Sequence, residues 1–99
     1  MSSQAQEVPV VHNAARQRFE VAMDDEVAFV SYSHVAGRVV FEHTYVPERF
    51  RGKGIAATLV RAALNEARNQ RWRIVPQCSY VAAFVERNPE FADLVVGRR

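Results

Sequence analysis

The sequence predicts an α+β domain in which a three-stranded antiparallel meander is followed by a helix, a fourth strand and a short second helix. Three observations predict it. Runs rich in Val, Phe and Tyr, Arg18 to Met23, Glu26 to Val35 and Val39 to Val46, are separated by short turn-forming segments, as in hairpins. Ile55 to Gln70 then places Ile55, Leu59, Val60, Ala63, Leu64 and Ala67 at helical spacing. Beyond it, the β-branched pair Ile74-Val75 is halted by Pro76.

Taken in order, residues 1 to about 10 are polar and expected to be loosely ordered, with Val8, Val10 and Val11 able to lay an edge strand on the sheet. Asp24-Asp25 suits a tight turn between the first two strands, and Ala36-Gly37-Arg38 supplies the next. In the long helix Arg61, Asn65, Glu66, Arg68 and Asn69 fall off the apolar stripe, so one face packs on the sheet. A second helix is expected from Ser79 or Tyr80 to Glu86, with Ser79 as its cap and Val81, Phe84 and Val85 on its apolar side. Asn88-Pro89 ends it, and Phe91 to Val95 adds a last short turn. Trp72, Phe84 and Phe91 are expected in the core.

Ninety-nine residues make one domain, 1–99, with room for a single core and no separate lid. Apolar residues form 48% of the chain and are interspersed with charge, which predicts a folded globule. No apolar run reaches the roughly 18 residues of a membrane span, and Met1-Ser2-Ser3-Gln4-Ala5-Gln6 lacks the charged and apolar regions of a leader. A cytoplasmic protein with no membrane partner is expected. The single Cys78 and three scattered His predict neither an internal disulfide nor a metal site. A net charge of +2 with acids and bases interleaved argues against a nucleic-acid partner.

The most informative segment is Arg51-Gly52-Lys53-Gly54-Ile55-Ala56, a glycine turn between a strand and a helix. Glycines let backbone N–H groups approach an anion, and a helix's first turn has unpaired donors at the positive end of its dipole. The arrangement predicts a phosphorylated cofactor, the alternative being a turn that is glycine-rich for steric reasons alone. A Walker loop would need Ser or Thr after Lys53, where Gly54 stands. A dinucleotide fingerprint would need an acid about 20 residues on, where Arg71-Trp72-Arg73 stands. Arg49, Arg51 and Lys53 beside the turn suit phosphates, whereas Arg68, Arg71 and Arg73 read as solvated surface.

Arg51-Gly52-Lys53-Gly54-Ile55-Ala56 resembles the acyl-coenzyme A loop of the GCN5-related N-acetyltransferases, Arg or Gln, two residues, Gly, one residue, then Gly or Ala. The overlapping register Arg49-Phe50-Arg51-Gly52-Lys53-Gly54 fits as well. His43-Thr44-Tyr45-Val46-Pro47, Pro76-Gln77-Cys78 and Asn88-Pro89-Glu90-Phe91 resemble a small single-domain branch of that superfamily, so the likeness runs from about Phe19 to Val95. The resemblance implies a reduced form of that superfamily's α+β fold and acetyl-coenzyme A as cofactor. It implies that Arg51, Gly52, Lys53, Gly54, Ile55 and Ala56 hold the pyrophosphate, and that backbone groups of Tyr45 and Val46 hold the pantetheine arm. Two positions depart from the branch pattern: Tyr45 stands where an acid is common, and Asn88 where a His is common. The first two strands are only two residues apart, without the helices that shape acceptor pockets in larger members. The acceptor site is therefore open, formed by a partner subunit in a homodimer, or absent.

Acyl transfer to an amine requires a base for the ammonium proton and stabilisation of the departing thiolate. Strand alternation puts Glu42 and His43 on opposite faces, and His43 is the preferred base because imidazole titrates near neutrality. An ordering role at the strand end is the alternative for His43. Cys78, at the end of the fourth strand, is a candidate to accept the acyl group, for which a helix beginning near Ser79 would favour a thiolate. Cys78 or Tyr80 is otherwise a candidate to protonate the leaving sulfur, or Cys78 is simply a packed thiol. The implied function is an acetyl-coenzyme A-dependent N-acyltransferase acting on a small-molecule or protein amine. The alternative is a coenzyme A binding or sensing module with little turnover.

Overall fold

A computed structural model describes residues 9–96. The chain runs β1 (Val11–Asn13), β2 (Arg18–Met23), β3 (Glu26–Val35), β4 (Arg38–Tyr45), α1 (Ile55–Gln70), β5 (Ile74–Pro76) and α2 (Ser79–Arg87). Short 3₁₀ segments cover Glu48–Phe50 and Pro89–Leu94. The five strands form one sheet in chain order, antiparallel from β1 to β4, with β5 added parallel to β4. This is the predicted α+β arrangement with one more strand, because Val11–Asn13 pairs along β2. The expectation that Val8 begins an edge strand lies outside the described residues, as does most of the expected loose segment.

The turns explain why the meander closes. Ala36 and Gly37 both have positive φ, 52° and 79°, which matches the right-handed twist of paired strands in a two-residue hairpin. Asp24 does the same between β2 and β3 at φ 57°. Period-two burial along β2 and β3 then gives the sheet two unlike faces. Phe19, Val21, Ala28, Val30, Tyr32, Val39, Phe41 and Ile74 point to one face and are buried. Against them pack Leu59, Val60, Ala63, Leu64 and Ala67 of α1, and Val81, Phe84 and Val85 of α2. The other face, with Val27, Phe29, Ser31, Ser33, Val40 and Tyr45, carries no helix among the described residues.

The ends of the helices follow local chemistry. Gly54, at φ 80°, leads into α1, and Arg71, at φ 60°, leads out of it while the Trp72 N–H donates to the Ala67 carbonyl at 2.8 Å. Ser79 does not cap α2; it is the first helical residue, and Cys78 is the flanking residue without a side-chain cap. The Cys78 N–H is already spent on the Phe41 carbonyl at 2.8 Å, which sets the helix start one residue earlier than a serine cap would. β5 ends at Pro76 as expected, with Pro76 paired to Phe41 as the strand's last residue. At the far edge of the sheet, Val96 N–H reaches the Ile74 carbonyl at 2.9 Å, so the C-terminal segment covers part of the β5 edge. Phe84 and Phe91 are core residues as expected, whereas Trp72 is half-buried.

The short edge strand β1 is held by an aromatic cluster. The His12 ring stacks on Phe19 at 4.2 Å, and its Nε2 lies 2.6 Å from the Tyr32 hydroxyl. Trp72 closes the cluster at 5.3 Å from the Tyr32 ring. Burial, reinforced by the Glu66 carboxylate, raises the Tyr32 phenol above its ordinary pKa. At the surface, Arg68 donates to both oxygens of Asp93, and that bidentate bond holds the Asp93 carboxyl below its ordinary range.

Two expected outcomes follow from this packing. Leu64 is fully buried, so Leu64→Ala lowers the unfolding free energy by about 2–5 kcal/mol in urea titration, and a change below about 1 kcal/mol contradicts the packing described. Because the Tyr32 pKa is raised in the folded state, its contribution to stability is complete below the unfolded tyrosine pKa and is lost as pH rises through the folded value. Tyr32→Phe therefore flattens the alkaline limb of a melting-temperature profile; an unchanged slope above the ordinary tyrosine pKa refutes the assignment.

Candidate functional site

The glycine turn lies where expected, between the end of β4 and α1. Gly52 and Gly54 both have left-handed backbones, φ 82° and 80°, and a Cβ built on either meets nothing within 4 Å. Both glycines line one cavity of about 230 Å³, together with Val46, Phe50, Arg51, Ile55, Ala56, Ala57 and Tyr80. A second cavity, of about 240 Å³, shares Val46, Arg51, Ala56 and Tyr80 with the first and extends it to Thr44 and Tyr45. The two form one cleft running from the strand end to the first turn of α1.

The cleft exists because β4 parts from its neighbour. β5 pairs with β4 only from Val39 to Phe41, and Cys78 makes the last bond of that side. From Glu42 onward β4 is flanked on that side by Cys78 and Tyr80 and not by a ladder. Thr44 is on the helix-covered face, paired with Val30, and its Oγ1 lies 3.3 Å from the Cys78 Sγ. Tyr80, on the first turn of α2, is half-buried and lines both cavities; its hydroxyl has no partner among the described residues.

Glu42 and His43 do not sit on opposite faces. The register between β3 and β4 shifts between Ser31 and Tyr32: His43 faces Ser31 and Phe41 faces Tyr32, so Glu42 is an inserted residue. That bulge breaks the alternation and brings both side chains to the open face. Glu42 accepts from the Ser33 hydroxyl at 2.8 Å, and Ser33 belongs to the open face. His43 is exposed and has no side-chain partner among the described residues.

The cations divide. Arg49 is turned away from the cleft onto the β2–β3 turn, with its Nε 2.8 Å from Glu26 and a terminal nitrogen 3.3 Å from Asp25. Its expected role beside phosphates is therefore not supported by its position. Arg51 lines both cavities and its Nε donates to the Val46 carbonyl at 2.8 Å, tying the turn to the strand end. Lys53 is exposed within the turn and has no described partner. Arg68 is held by Asp93 and by the Glu90 carbonyl, in keeping with a surface residue.

Of the residues singled out in the sequence, Tyr45, Val46, Arg51, Gly52, Gly54, Ile55, Ala56 and Tyr80 come together on the cleft. Lys53 borders it without lining it, Cys78 adjoins it through Thr44, and His43 lies on the other side of β4. Thr44, Phe50 and Ala57 also line it and were not singled out as site residues. Phe50 stands in the overlapping register of the loop motif, and Thr44 in the strand-end motif, so both carried a signal. Among the described residues no group of three potential metal ligands gathers, and no helix is long and apolar enough to cross a membrane.

The fold and the cleft define a protein class: a small α+β domain with a split sheet and a glycine turn that places a helix N-terminus on an elongated cleft. The chain matches the family described as GCN5-related N-acetyl-transferase over residues 18–94. It is 35% identical to Protein NATD1 of Bos taurus and 33% identical to Protein NATD1 of Mus musculus, each over 85 residues. Those stretches are 83% of this chain and 75% and 77% of the relatives. A GCN5-like protein of Staphylococcus aureus, solved by NMR in solution, superposes with a TM-score of 0.72 over 93% of this chain and 91% of its own, at 21% identity. The chain belongs to the GCN5-related N-acetyltransferase family, a family of acyltransferases.

The left-handed backbone at Gly54 sets a measurable penalty. Gly54→Val costs about 1–3 kcal/mol of unfolding free energy through backbone strain, since a Cβ there meets open space and the left-handed φ is what the new side chain opposes. A urea titration that shows no loss contradicts the turn geometry.

Proposed function

We propose that this protein is an acetyl-coenzyme A-dependent N-acetyltransferase that acts on a small-molecule or protein amine by direct attack. The observation that carries the reading is the continuous cleft from Thr44 to Ala57, with two left-handed glycines at the helix N-terminus and an unladdered strand end beside them. Gly52, Gly54 and the first N–H groups of α1 would hold the pyrophosphate, with Lys53 and Arg51 adding positive charge. The strand end at Tyr45 and Val46 would receive the pantetheine arm as an added strand. The Val46 carbonyl already accepts from Arg51 and keeps one lone pair for it. When bound, the cofactor supplies an acetyl group as a thioester.

In this reading the two faces of β4 divide the proton transfers. His43, on the open face, takes the proton of the acceptor ammonium, with Glu42 beside it as a second acceptor. Tyr80, inside the cleft, gives its hydroxyl proton to the leaving sulfur as the new C–N bond forms and the C–S bond breaks. Both side chains lack described hydrogen-bond partners, so each is free to exchange a proton. Cys78 stands behind the cleft wall, against Thr44. The competing route is thioester exchange through Cys78. The second reading, a coenzyme A sensing module, is favoured by the uncovered sheet face and by Asn88, whose amide is engaged with the Phe84 carbonyl and Arg61.

Calorimetric titration with acetyl-coenzyme A is expected to show one-to-one binding that Gly54→Val abolishes. No saturable heat from the wild type removes the acyltransferase reading. Tyr80→Phe is expected to lower kcat by about 10²-fold or more with cofactor affinity unchanged, while Cys78→Ala keeps most of its turnover. An inactive Cys78→Ala that still binds cofactor replaces direct attack by thioester exchange, and cofactor binding without turnover on any amine leaves the sensing module.

A further inference from the structure

Thr44 is half-buried on the helix-covered face of β4, where it pairs with Val30, and it lines the strand-end part of the cleft. Its neighbours His43 and Tyr45 stand on the open face, because alternation resumes after the bulge. The side chains with polar hydrogens that line this part are Thr44, Tyr45, Arg51 and Tyr80. Two of them are engaged elsewhere. Arg51 spends its Nε hydrogen on the Val46 carbonyl at 2.8 Å, and the Tyr45 ring meets Phe29 at 5.6 Å on the open face. Thr44 on the strand and Tyr80 on the first turn of α2 remain, one hydroxyl from each wall.

The Thr44 Oγ1 has one side-chain neighbour, the Cys78 Sγ at 3.3 Å. A hydroxyl carries one hydrogen and two lone pairs, and a thiol one weakly donating S–H. When the Cys78 S–H donates to Oγ1, the Thr44 hydrogen has no acceptor among the described residues and is left for a ligand. The thiol is itself held by backbone bonds. The Cys78 N–H donates to the Phe41 carbonyl at 2.8 Å, and the Cys78 carbonyl accepts from the Ala82 N–H at 3.0 Å. A donor oriented in this way is already in place when charge develops beside it.

We propose that the Thr44 hydroxyl donates to the thioester carbonyl oxygen of bound acetyl-coenzyme A, with Cys78 as the positioning residue that orients it. The inference rests on the acyl-coenzyme A reading of the cleft. As the amine lone pair forms the C–N bond, the carbonyl π pair moves onto oxygen, and the Thr44 hydrogen bond strengthens without transfer of its proton. The pair returns to the carbonyl as the C–S bond breaks. The sulfur takes the Tyr80 proton, and the ammonium proton goes to His43. Thr44 and Tyr80 thus answer the charge on oxygen and on sulfur from opposite walls, and Cys78 has a role that requires no acylation.

The test is infrared spectroscopy of acetyl-coenzyme A labelled with carbon-13 at the thioester carbonyl and bound to wild type, Thr44→Val and Thr44→Ser. Calorimetric titration adds S-ethyl-coenzyme A, a thioether that lacks the carbonyl oxygen. Valine keeps the branched shape that suits a strand, and circular dichroism checks the fold; Thr44→Ala gives the same comparison if the valine variant does not fold. The carbonyl stretch is expected at lower wavenumber on wild type than on Thr44→Val, with Thr44→Ser close to wild type. Thr44→Val is expected to weaken acetyl-coenzyme A about two- to tenfold and to leave S-ethyl-coenzyme A unchanged. It is also expected to lower kcat about 10²-fold, in wild type and in a Cys78→Ala background alike. An identical stretch on wild type and the folded variant overturns the proposal while the acyltransferase reading stands. Equal weakening of the thioether overturns it too, because the damage is then to packing. So does a valine variant without effect once Cys78 is alanine, because the hydroxyl then acts only through the thiol. Absence of acetyl-coenzyme A binding by the wild type removes this proposal and the reading beneath it together.

Discussion

Strand β4 is the constraint on which the rest of the structure depends. It is antiparallel to β3 along its whole length but parallel to β5 for only three residue pairs. Phe41 stands where the second ladder ends: its side chain is fully buried, and its carbonyl accepts from Cys78. That one bond sets where β5 turns away and where α2 begins. It therefore fixes both walls of the cleft, Thr44 on the strand and Tyr80 on the helix. A buried backbone acceptor left unpaired costs free energy comparable to a lost hydrogen bond, so the split cannot close or slide without a compensating partner. An extended ligand with its own amide groups is such a partner for the strand end beyond it.

Charge is placed with the same economy. Of the cations beside the turn, Arg49 is committed to Asp25 and Glu26, and farther off, in the last turn of α1, Arg68 is committed to Asp93. Exposed ion pairs of this kind add little stability, but they withdraw positive charge from competition for an anion. What remains at the turn is Lys53, the Arg51 edge, and the helix N-terminus with its glycines. In the proposed reading, anion binding there would rely on backbone donors more than on side-chain charge, which makes the φ values of Gly52 and Gly54 more consequential than the net charge of the chain.

Much of this was legible in the sequence, and the exceptions share a physical cause. β2, β3 and α1 have the bounds that hydrophobic periodicity assigns, because long, strongly patterned elements are set locally. The glycine turn was legible because positive φ is a single-residue requirement. β1 is three residues long and owes its place to His12 stacking on Phe19 and meeting Tyr32, contacts that no local pattern encodes. The bulge at Glu42 was not legible either. No glycine or proline marks it, and its cause is the register of β4 against β3, so alternation put Glu42 and His43 on opposite faces when they share one. Likewise Thr44 and Cys78, 34 residues apart, become neighbours only when β4 and β5 pair.

Among the described residues the helices cover one face of the sheet only, with a consequence for the proposed chemistry. The helices bury Phe41, Val30 and Tyr32 and leave Glu42, His43, Phe29 and Tyr45 facing outward, with the Tyr45 and Phe29 rings 5.6 Å apart. An acceptor reaching His43 crosses no protein layer, so its size is not limited by a pocket. The same openness excludes no water from that side, and an amine must then outcompete water by nucleophilicity and by position. In the proposed reading, selectivity would come from the gap beside β4, which would leave the acyl carbon open to one direction of attack, rather than from enclosure of the acceptor. A base on the open face and an acid inside the cleft are the arrangement that this geometry permits, because β4 itself separates the two protons.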